Sequence, residues 1–392
     1  MTRNKQGNIH IVLFWHMNDW GKYGRAYEKI AENLSSLSSI KKVLCVFPPR
    51  WLGYSRLLQP FLLSKLSKKL FLLTINAQLI PSGSHRSRLI LRIKGTISKF
   101  VLGQLLKSMG FKKQNTILWL FPPHQFINQL LRLIPHHLLV TQLADNNTFR
   151  EDDSEARISF AKKQYGTLTM RSDMIITSSQ LNYRLFHSQN PNCYLFENGL
   201  DPIFVSCPSK LPYLRNHARP CLGYVGFISQ RTDIKLLDYI ARARPEYDLI
   251  IAGPQEEKLN EYGTLNLPNV TYAGVIPYKE LPRLLSNIDV CLMPHKDTPY
   301  SNSMSPLKLL QYLGTGRPIV STPVDGAKRW DGLISIANDY QDFLKKIDTA
   351  LNEDHENLSS KRIEAAKLET WEKWVGDVFE VVVRHFKERK AY

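Results

Sequence analysis

The residues best suited to chemistry cluster between Met293 and Pro323, in the run MPHKDTPYSNSMSPLKLLQYLGTGRPIVSTP. A strand is predicted to end at Pro294, a polar loop follows, and Ser303 and Ser305 flank the start of a helix led by Pro306. Serine before a proline-led helix is good cap chemistry. The free N–H groups and the positive end of the helix dipole make such a start an anion site. Lys308, in the first turn, adds a full charge suited to a diphosphate. Gln311 is three residues on and shares that face, where its amide could reach a ribose. Gly314 and Gly316 end the helix before a buried strand. The plainer reading of the same residues is a capped helix on a sheet with its polar groups in water.

Other candidates lie in the first half of the chain. Asp145 follows the strand expected over Leu138–Gln142 and is the only acidic residue between Glu32 and Glu151. Beside Asn146 and Asn147 it also fits an ordinary turn or cap. His124 follows another strand end, in FPPH, and His16 and Asp19 follow the first strand. In the second half, Arg231 and Asp233 follow Gly223-Tyr224-Val225-Gly226, with Asp233 equally suited to capping the helix from Ile234.

Strands and helices must alternate to position these groups. In the second half, strands are expected at Cys221–Phe227, Asp248–Ala252, Val270–Ala273, Val290–Met293 and Pro318–Ser321. Helices are expected at Ile234–Ala243, near Tyr278–Ser286, and at Ser305–Leu313 and Tyr340–Leu351. That pattern, with short Gly/Pro links, is a doubly wound parallel sheet. The first half repeats it, with strands at Ile9–Trp15, Lys42–Phe47, Leu70–Ile75, Ile117–Phe121, Leu138–Gln142, Met174–Ser178 and Cys193–Phe196. Helices there are expected at Ala26–Leu37, Arg92–Met109, Ser154–Met170 and Ser179–Phe186. The proline-rich stretch Pro202–Pro220 reads as a linker. The chain thus divides into an α/β domain over 1–203, a second over 204–370 and a closing helix within 371–392. Trp374, Val375, Val378, Val381, Val382 and Phe386 recur at helical spacing in that last segment. Ligands of such sheets bind beyond the carboxyl ends of the strands.

The helix and its flanks resemble the nucleotide-sugar signature of GT-B glycosyltransferases, commonly S-x-x-K-x-x-E-Y-x-x-x-G-x-P-V-V. Within that glycosyltransferase family 4-like superfamily the chain is most similar to the xanthan-type β-glucuronosyltransferases and teichuronic-acid-type enzymes, sharing Lys308-Leu309-Leu310-Gln311-Tyr312. Asn198-Gly199-Leu200-Asp201 resembles the N-G-V-D that ends the first domain, and Gly223–Gly226 with Arg231 and Asp233 resembles the first strand and donor loop of the second. The resemblance implies a GT-B fold: two Rossmann-like domains facing a cleft, with the last helix crossing back to the first. It implies a nucleotide-sugar donor, a uridine nucleotide first, held by Gly226, Arg231, Asp233, Ser303, Ser305, Lys308 and Gln311. Ala144-Asp145 resembles the position of the base, as an inverting transfer needs a carboxylate to take the acceptor's proton. His16, Asp19 and His124 would contact the acceptor or the transferred sugar, with Asp19 the second candidate base. Two departures stand out. Many members carry two acidic residues where this chain has Ser303 and Gln311, although the glucuronosyltransferase-like group also uses glutamine at the second. No D-x-D triplet flanked by strands is present, so no metal or other cofactor is expected, and Lys308, Arg231 and helix N-termini would neutralise the diphosphate.

Charge is unevenly placed. Residues 1–200 hold 27 Lys+Arg against 10 Asp+Glu, a net +17, while the remainder has 25 of each; residues 51–140 have 13 basic residues and no acidic one. A basic half of this kind implies a polyanionic partner. In Trp51–Leu73, leucines and phenylalanines mix with Lys65, Lys68 and Lys69, the composition of helices lying in a membrane interface, with Pro60 dividing two short segments. Basic flanks continue through Arg86, Arg88, Arg92 and Lys94. The expected partners are therefore a nucleotide-sugar, a lipid-linked or saccharide acceptor and an anionic membrane surface. Nucleic acid is not expected, for want of aromatic–glycine RNA motifs and zinc fingers. Five scattered cysteines (Cys45, Cys193, Cys207, Cys221, Cys291) without a C-x-x-C pair fit a reducing compartment. No run is long and apolar enough to span a bilayer, and the start does not read as a signal peptide. The expected place is the cytoplasm, attached peripherally to the inner face of the membrane. A non-catalytic homologue of this fold and a sugar-nucleotide epimerase are the competing readings.

Overall fold

The computed structural model describes residues 9–53, 59–79, 88–205, 219–255, 262–353 and 355–389. Residues 54–58, Arg86, Cys207, most of the linker expected over Pro202–Pro220, and the side chains of Arg88 and Arg92 lie outside that description.

The first domain is built on β1 (Ile9–Phe14), β2 (Ile40–Arg50), β3 (Phe61–Lys65), β4 (Leu70–Asn76), β5 (Thr116–Leu120), β6 (Leu138–Leu143), β7 (Met174–Thr177) and β8 (Cys193–Leu195). They form one sheet in the order β3-β4-β2-β1-β5-β6-β7-β8. Only β3 runs antiparallel to its neighbour. Its helices are α1 (Ala26–Ser36), α2 (Arg88–Ser108), α3 (Ile127–Leu133), α4 (Glu155–Arg171) and α5 (Gln180–His187).

The second sheet runs β11-β10-β9-β12-β13-β14. It comprises β9 (Cys221–Val225), β10 (Asp248–Ala252), β11 (Val270–Gly274), β12 (Val290–Met293), β13 (Ile319–Ser321) and β14 (Ser335–Ile336). All its pairings are parallel. Around it lie α6 (Ile234–Ala243), α7 (Leu281–Leu285), α8 (Pro299–Asn302), α9 (Leu307–Gly314), α10 (Asp325–Lys328), α11 (Tyr340–Ala350) and α12 (His355–Lys367), and α13 (Trp371–Glu388) follows. The central strands read as unbroken apolar runs because helices cover both faces, and β1, β5, β6, β9 and β12 are buried along almost their whole length.

The chain crosses between domains twice, side by side. Leu200 and Phe204 are already in the second core, and Thr370 bridges back to Leu200. The last helix, α13, then returns to the first domain. Trp371, Trp374, Val378, Val382 and Phe386 pack with Ile11, Tyr27 and Trp119 in one core, so the final turns of the chain complete the domain that the first residues begin. Buried polar contacts also join the domains. Asn182 donates to the Ser303 carbonyl at 2.7 Å, and the Ser303 hydroxyl accepts from the Asn146 N–H at 3.1 Å. Lys29 of α1 pairs with Asp201 at 2.8 Å, and the Tyr278 hydroxyl donates to the same carboxylate at 3.2 Å.

One expectation is overturned. After Pro60 the expected interfacial helix is instead a hairpin in which Phe61–Lys65 pairs with the strand Leu70–Asn76 at the edge of the sheet, while residues 54–58 of the first expected segment lie outside the described residues. Leucines interspersed with lysines suit both shapes, and the exposed Ser64 and Lys65 are typical of an edge that must resist further pairing.

Candidate active site

The ends of β9, β10 and β12 and the start of α9 face the ends of β1 and β6 across the domain gap. They enclose a cavity of about 290 Å³. Among the described residues, four cations line it, Lys22, Arg25, Arg231 and Lys308, against a single carboxylate, Asp145. A cavity so charged favours an anion.

Lys308 is the centre of the arrangement. It sits in the first turn of α9, whose start at Pro306 has no side-chain cap. Its Nζ donates to the Tyr224 hydroxyl at 2.6 Å and lies 3.1 Å from His295 Nε2. Among the described residues no carboxylate pairs with it. Enclosure opposes its charge and Arg231 adds repulsion, bringing its pKa down to about 7. His295 is buried, and burial followed by the Lys308 and Arg231 charges holds its pKa well below the ordinary range. The neutral ring accepts from Lys308 at Nε2, which assigns its proton to Nδ1, an enclosed atom with no partner among the described residues.

The cavity wall comes close to bare backbone here. Gly226 has φ 154°, and a Cβ on it would lie 2.6 Å from Lys308 Nζ; a Cβ on Gly253 would lie 2.0 Å from the Gly226 carbonyl oxygen. Only glycine fits either position, and backbone without side chains lets a phosphate approach closely.

Arg231 closes the other side. Its guanidinium lies 3.9 Å from the centroid of the Tyr300 ring and donates to Asp145 at 2.8 Å, joining the loop after β9 in one domain to the end of β6 in the other. Its Nε has no partner among the described residues.

The structure thus gathers Asp145, Gly226, Arg231, Ser305, Lys308 and Gln311 around one cavity. Ser305 also accepts from the Asn198 N–H at 3.2 Å, which ties the crossover to the start of α9. Ser303 departs from expectation: it is fully buried and spends its hydroxyl on Asn146 and the Tyr300 carbonyl. The serines therefore join domains instead of capping α9, which leaves its first N–H groups open to a ligand. Asp233 caps α6 by accepting from the Leu236 N–H and also receives the Tyr340 hydroxyl, so its carboxylate is committed to structure. Asp19 is buried, paired with Arg25 at 2.8 Å and bonded by the Tyr27 hydroxyl at 3.2 Å. It positions Arg25 and does not line the cavity. His16 and His124 stand outside the lining as well. Burial lowers both pKa values, that of His124 to about 4, and Asp145 partly offsets the effect at His16. Sequence reasoning gave no role to Tyr224 or His295, and placed Arg25 with His16 and Asp19 only by resemblance to the family's first β–α loop. His295 was signalled only by its place at the end of β12.

Residues 219–353 match the family described as Glycosyl transferases group 1. Over 178 residues the chain is 28% identical to the putative teichuronic acid biosynthesis glycosyltransferase TuaH of Bacillus subtilis (strain 168), a stretch covering 43% of this chain and 45% of that protein, about half the relative's length. Solved structures are similar over nearly the whole chain. Sucrose-phosphate synthase from Thermosynechococcus elongatus superimposes with a TM-score of 0.72 at 14% identity, over 97% of this chain and 100% of that one. Anabaena HepE in complex with UDP and glucose gives 0.67 at 14% identity, over 96% and 100%. S. aureus TarM, in complex with Fondaparinux, alpha-GlcNAc-glycerol and UDP, gives 0.65 at 10% identity, over 96% and 99%. Two facing parallel sheets and these likenesses define the fold, the GT-B arrangement of two Rossmann-like domains.

Enclosing Lys308 costs stability, because the unfolded chain keeps the lysine protonated up to its ordinary pKa while the folded chain loses that proton from about pH 7. Lys308→Met should therefore melt several degrees higher than the parent protein without nucleotide. The gap should be widest below pH 7 and narrow as pH rises towards 10, which differential scanning fluorimetry across that range measures.

Proposed function

We propose that the protein transfers a sugar from a nucleoside diphosphate sugar, with uridine favoured, to a lipid-linked saccharide acceptor in the assembly of a cell-surface polysaccharide. The observation that carries this reading is the Lys308 ammonium, without a carboxylate partner among the described residues, at the uncapped start of α9. A diphosphate there would meet Lys308, the first N–H groups of the helix and the glycine pair. Gln311 lies one turn further along the same helix, suited to the ribose. Binding would restore full protonation of Lys308, and the diphosphate would compete with Asp145 for Arg231. Lys308, Arg231 and the helix start would then neutralise the leaving group without a metal. HepE in complex with UDP and glucose supports a uridine donor, and the TuaH likeness supports a polysaccharide product.

In the proposed step the acceptor's hydroxyl oxygen attacks the anomeric carbon and passes its proton to the Asp145 carboxylate. The bond from that carbon to the diphosphate oxygen breaks, with its electron pair leaving on the nucleoside diphosphate, and attack from the opposite face inverts the centre. Arg231 holds Asp145 in the empty cleft; its transfer to the diphosphate frees the carboxylate once donor is present. His16 and His124, beyond Asp145, are assigned to the sugar or acceptor side. Asp145→Asn should lower turnover by at least about a hundredfold, the usual scale of a lost general base, while UDP affinity by calorimetry changes less than about threefold. Turnover near the parent level would place the base elsewhere.

The acceptor's lipid places the reaction at a membrane surface, and we assign the basic first domain to it, on the cytoplasmic face. Ile97 and Phe100 of α2 are exposed beside Lys99, and Leu66 is exposed beside Lys65 and Lys68 at the hairpin tip. Apolar side chains flanked by lysines are what an anionic interface takes up. No described helix is long and apolar enough to cross a membrane. The protein should cosediment with phosphatidylglycerol-containing vesicles, less at high salt, and Phe100→Glu should weaken this several-fold. Equal binding to purely phosphatidylcholine vesicles, or none to either, would contradict the assignment.

A further inference from the structure

Tyr300 stands outside the lining of the cavity that holds Lys308, yet it braces the Arg231–Asp145 pair from two sides. It lies in α8, a single turn fixed at both ends: the Thr298 hydroxyl accepts from the Ser301 N–H at 3.2 Å, and the Asn302 side chain accepts from the Asp325 N–H at 2.8 Å. The Tyr300 carbonyl accepts the Ser303 hydroxyl at 2.8 Å, and that hydroxyl accepts from the N–H of Asn146, the residue after Asp145. Its ring is buried, with the Arg231 guanidinium over it at 3.9 Å from the centroid. Arg150 of the first domain approaches the same ring at 5.6 Å but is paired with Asp152 at 3.5 Å and Asp153 at 3.7 Å. Among the described residues Arg231 has one carboxylate, Asp145.

Enclosure strips a guanidinium of water and leaves its charge to be balanced by its surroundings. A second carboxylate behind Arg231 would balance it but would also hold its N–H groups, and an arginine pinned in that way could not turn to a ligand. An aromatic face attracts the charge as a whole through its quadrupole and claims no N–H donor. The planar guanidinium suits such a face and keeps its fork of donors free. The ring's support is therefore the same whether those donors meet the Asp145 carboxylate or an oxygen in the cavity. Exchanging one for the other leaves the ring contact intact.

We propose that Tyr300 is a positioning residue for the transfer, its ring the platform on which Arg231 passes from Asp145 to the donor's diphosphate. The proposal rests on the transferase reading, which supplies the diphosphate. Tyr300 touches neither substrate: its ring holds Arg231, and its carbonyl, through Ser303, holds the backbone beside the proposed base. The release of Asp145 on donor binding is thereby tied to one side chain outside the cavity.

Heteronuclear NMR of the arginine-labelled full chain tests this, with UDP as the probe. Arg231 Nε is enclosed, which shelters its proton from water, and Arg231→Met assigns the signal. In the parent protein the ring face should shift that proton upfield of the other arginine signals. The shift should persist in Tyr300→Phe and vanish in Tyr300→Met, which fills the space without a ring. UDP should move the signal in the parent without abolishing the ring shift. By calorimetry, Tyr300→Met should bind UDP at least about fivefold more weakly, the scale of an enclosed cation–π contact, and Tyr300→Phe within about twofold of the parent. In an Arg231→Met background, Tyr300→Met should cost less than about twofold, because the ring acts through the arginine. No upfield shift in the parent, unchanged affinity in Tyr300→Met, an equal loss in both backgrounds, or a loss in Tyr300→Phe as large as in Tyr300→Met would overturn the proposal. A ring-shifted signal that follows the variants as expected but ignores UDP in every protein would uphold the ring's hold on Arg231 and remove the donor reading instead.

Discussion

Lys308 holds its ammonium 2.6 Å from a tyrosine hydroxyl and 3.1 Å from a neutral imidazole, with no described carboxylate to balance it. An enclosed charge without a counter-charge is unfavourable, and the pKa of about 7 records that cost. The surroundings sustain it instead of relieving it. Tyr224 is fixed by further hydrogen bonds to Thr232 and the Phe227 carbonyl. The glycines beside Lys308 keep the space before it free of side chains, and serines that would ordinarily cap the helix are turned to other partners. A dianion arriving in the cavity supplies what is missing, so the binding free energy of a ligand offsets the unfavourable enclosure.

The same constraint explains why two domains are needed. Lys308 and Arg231 belong to the second domain and Asp145 to the first, and the Arg231–Asp145 pair links the loop after β9 directly to the candidate base. Asn146, Asn182 and Ser303 hold the adjoining backbone in place. The returning helix α13 packs its tryptophans into the first core, so the two crossings of the chain lie together and any relative movement of the domains must pivot there.

Much of the fold was legible in the sequence, for a physical reason. Strands buried on both faces are short apolar runs ended by glycine or proline, and β9, β10 and β12 read that way at once. The stripe of Trp374, Val378, Val382 and Phe386 gave away α13. The hairpin at Phe61–Lys65 was misread because an edge strand with one wet face carries lysines much as an interfacial helix does. Helix α12 escaped notice because it is polar over most of its surface and buries little beyond Ala366 and Arg362. Of the residues that line the cavity, Lys308 and Gln311 were legible from local spacing and Gly226 from the resemblance of its motif. Ser303 and Asp19 were not: their hydroxyl and carboxylate are claimed by Asn146 and Arg25, and the Ser303 partner lies 157 residues away. The pairing of Arg231 with Asp145, 86 residues apart, was equally invisible although each was singled out separately.

The central claim is that Lys308 waits for a diphosphate. Heteronuclear NMR of lysine-labelled protein, with the Lys308 signal assigned through Lys308→Met, reads its titration directly. The account predicts a midpoint near pH 7 without ligand and a rise of at least two pH units when UDP is added, because a bound dianion favours the ammonium. A Lys308 that titrates in the ordinary lysine range and does not move with UDP would contradict it.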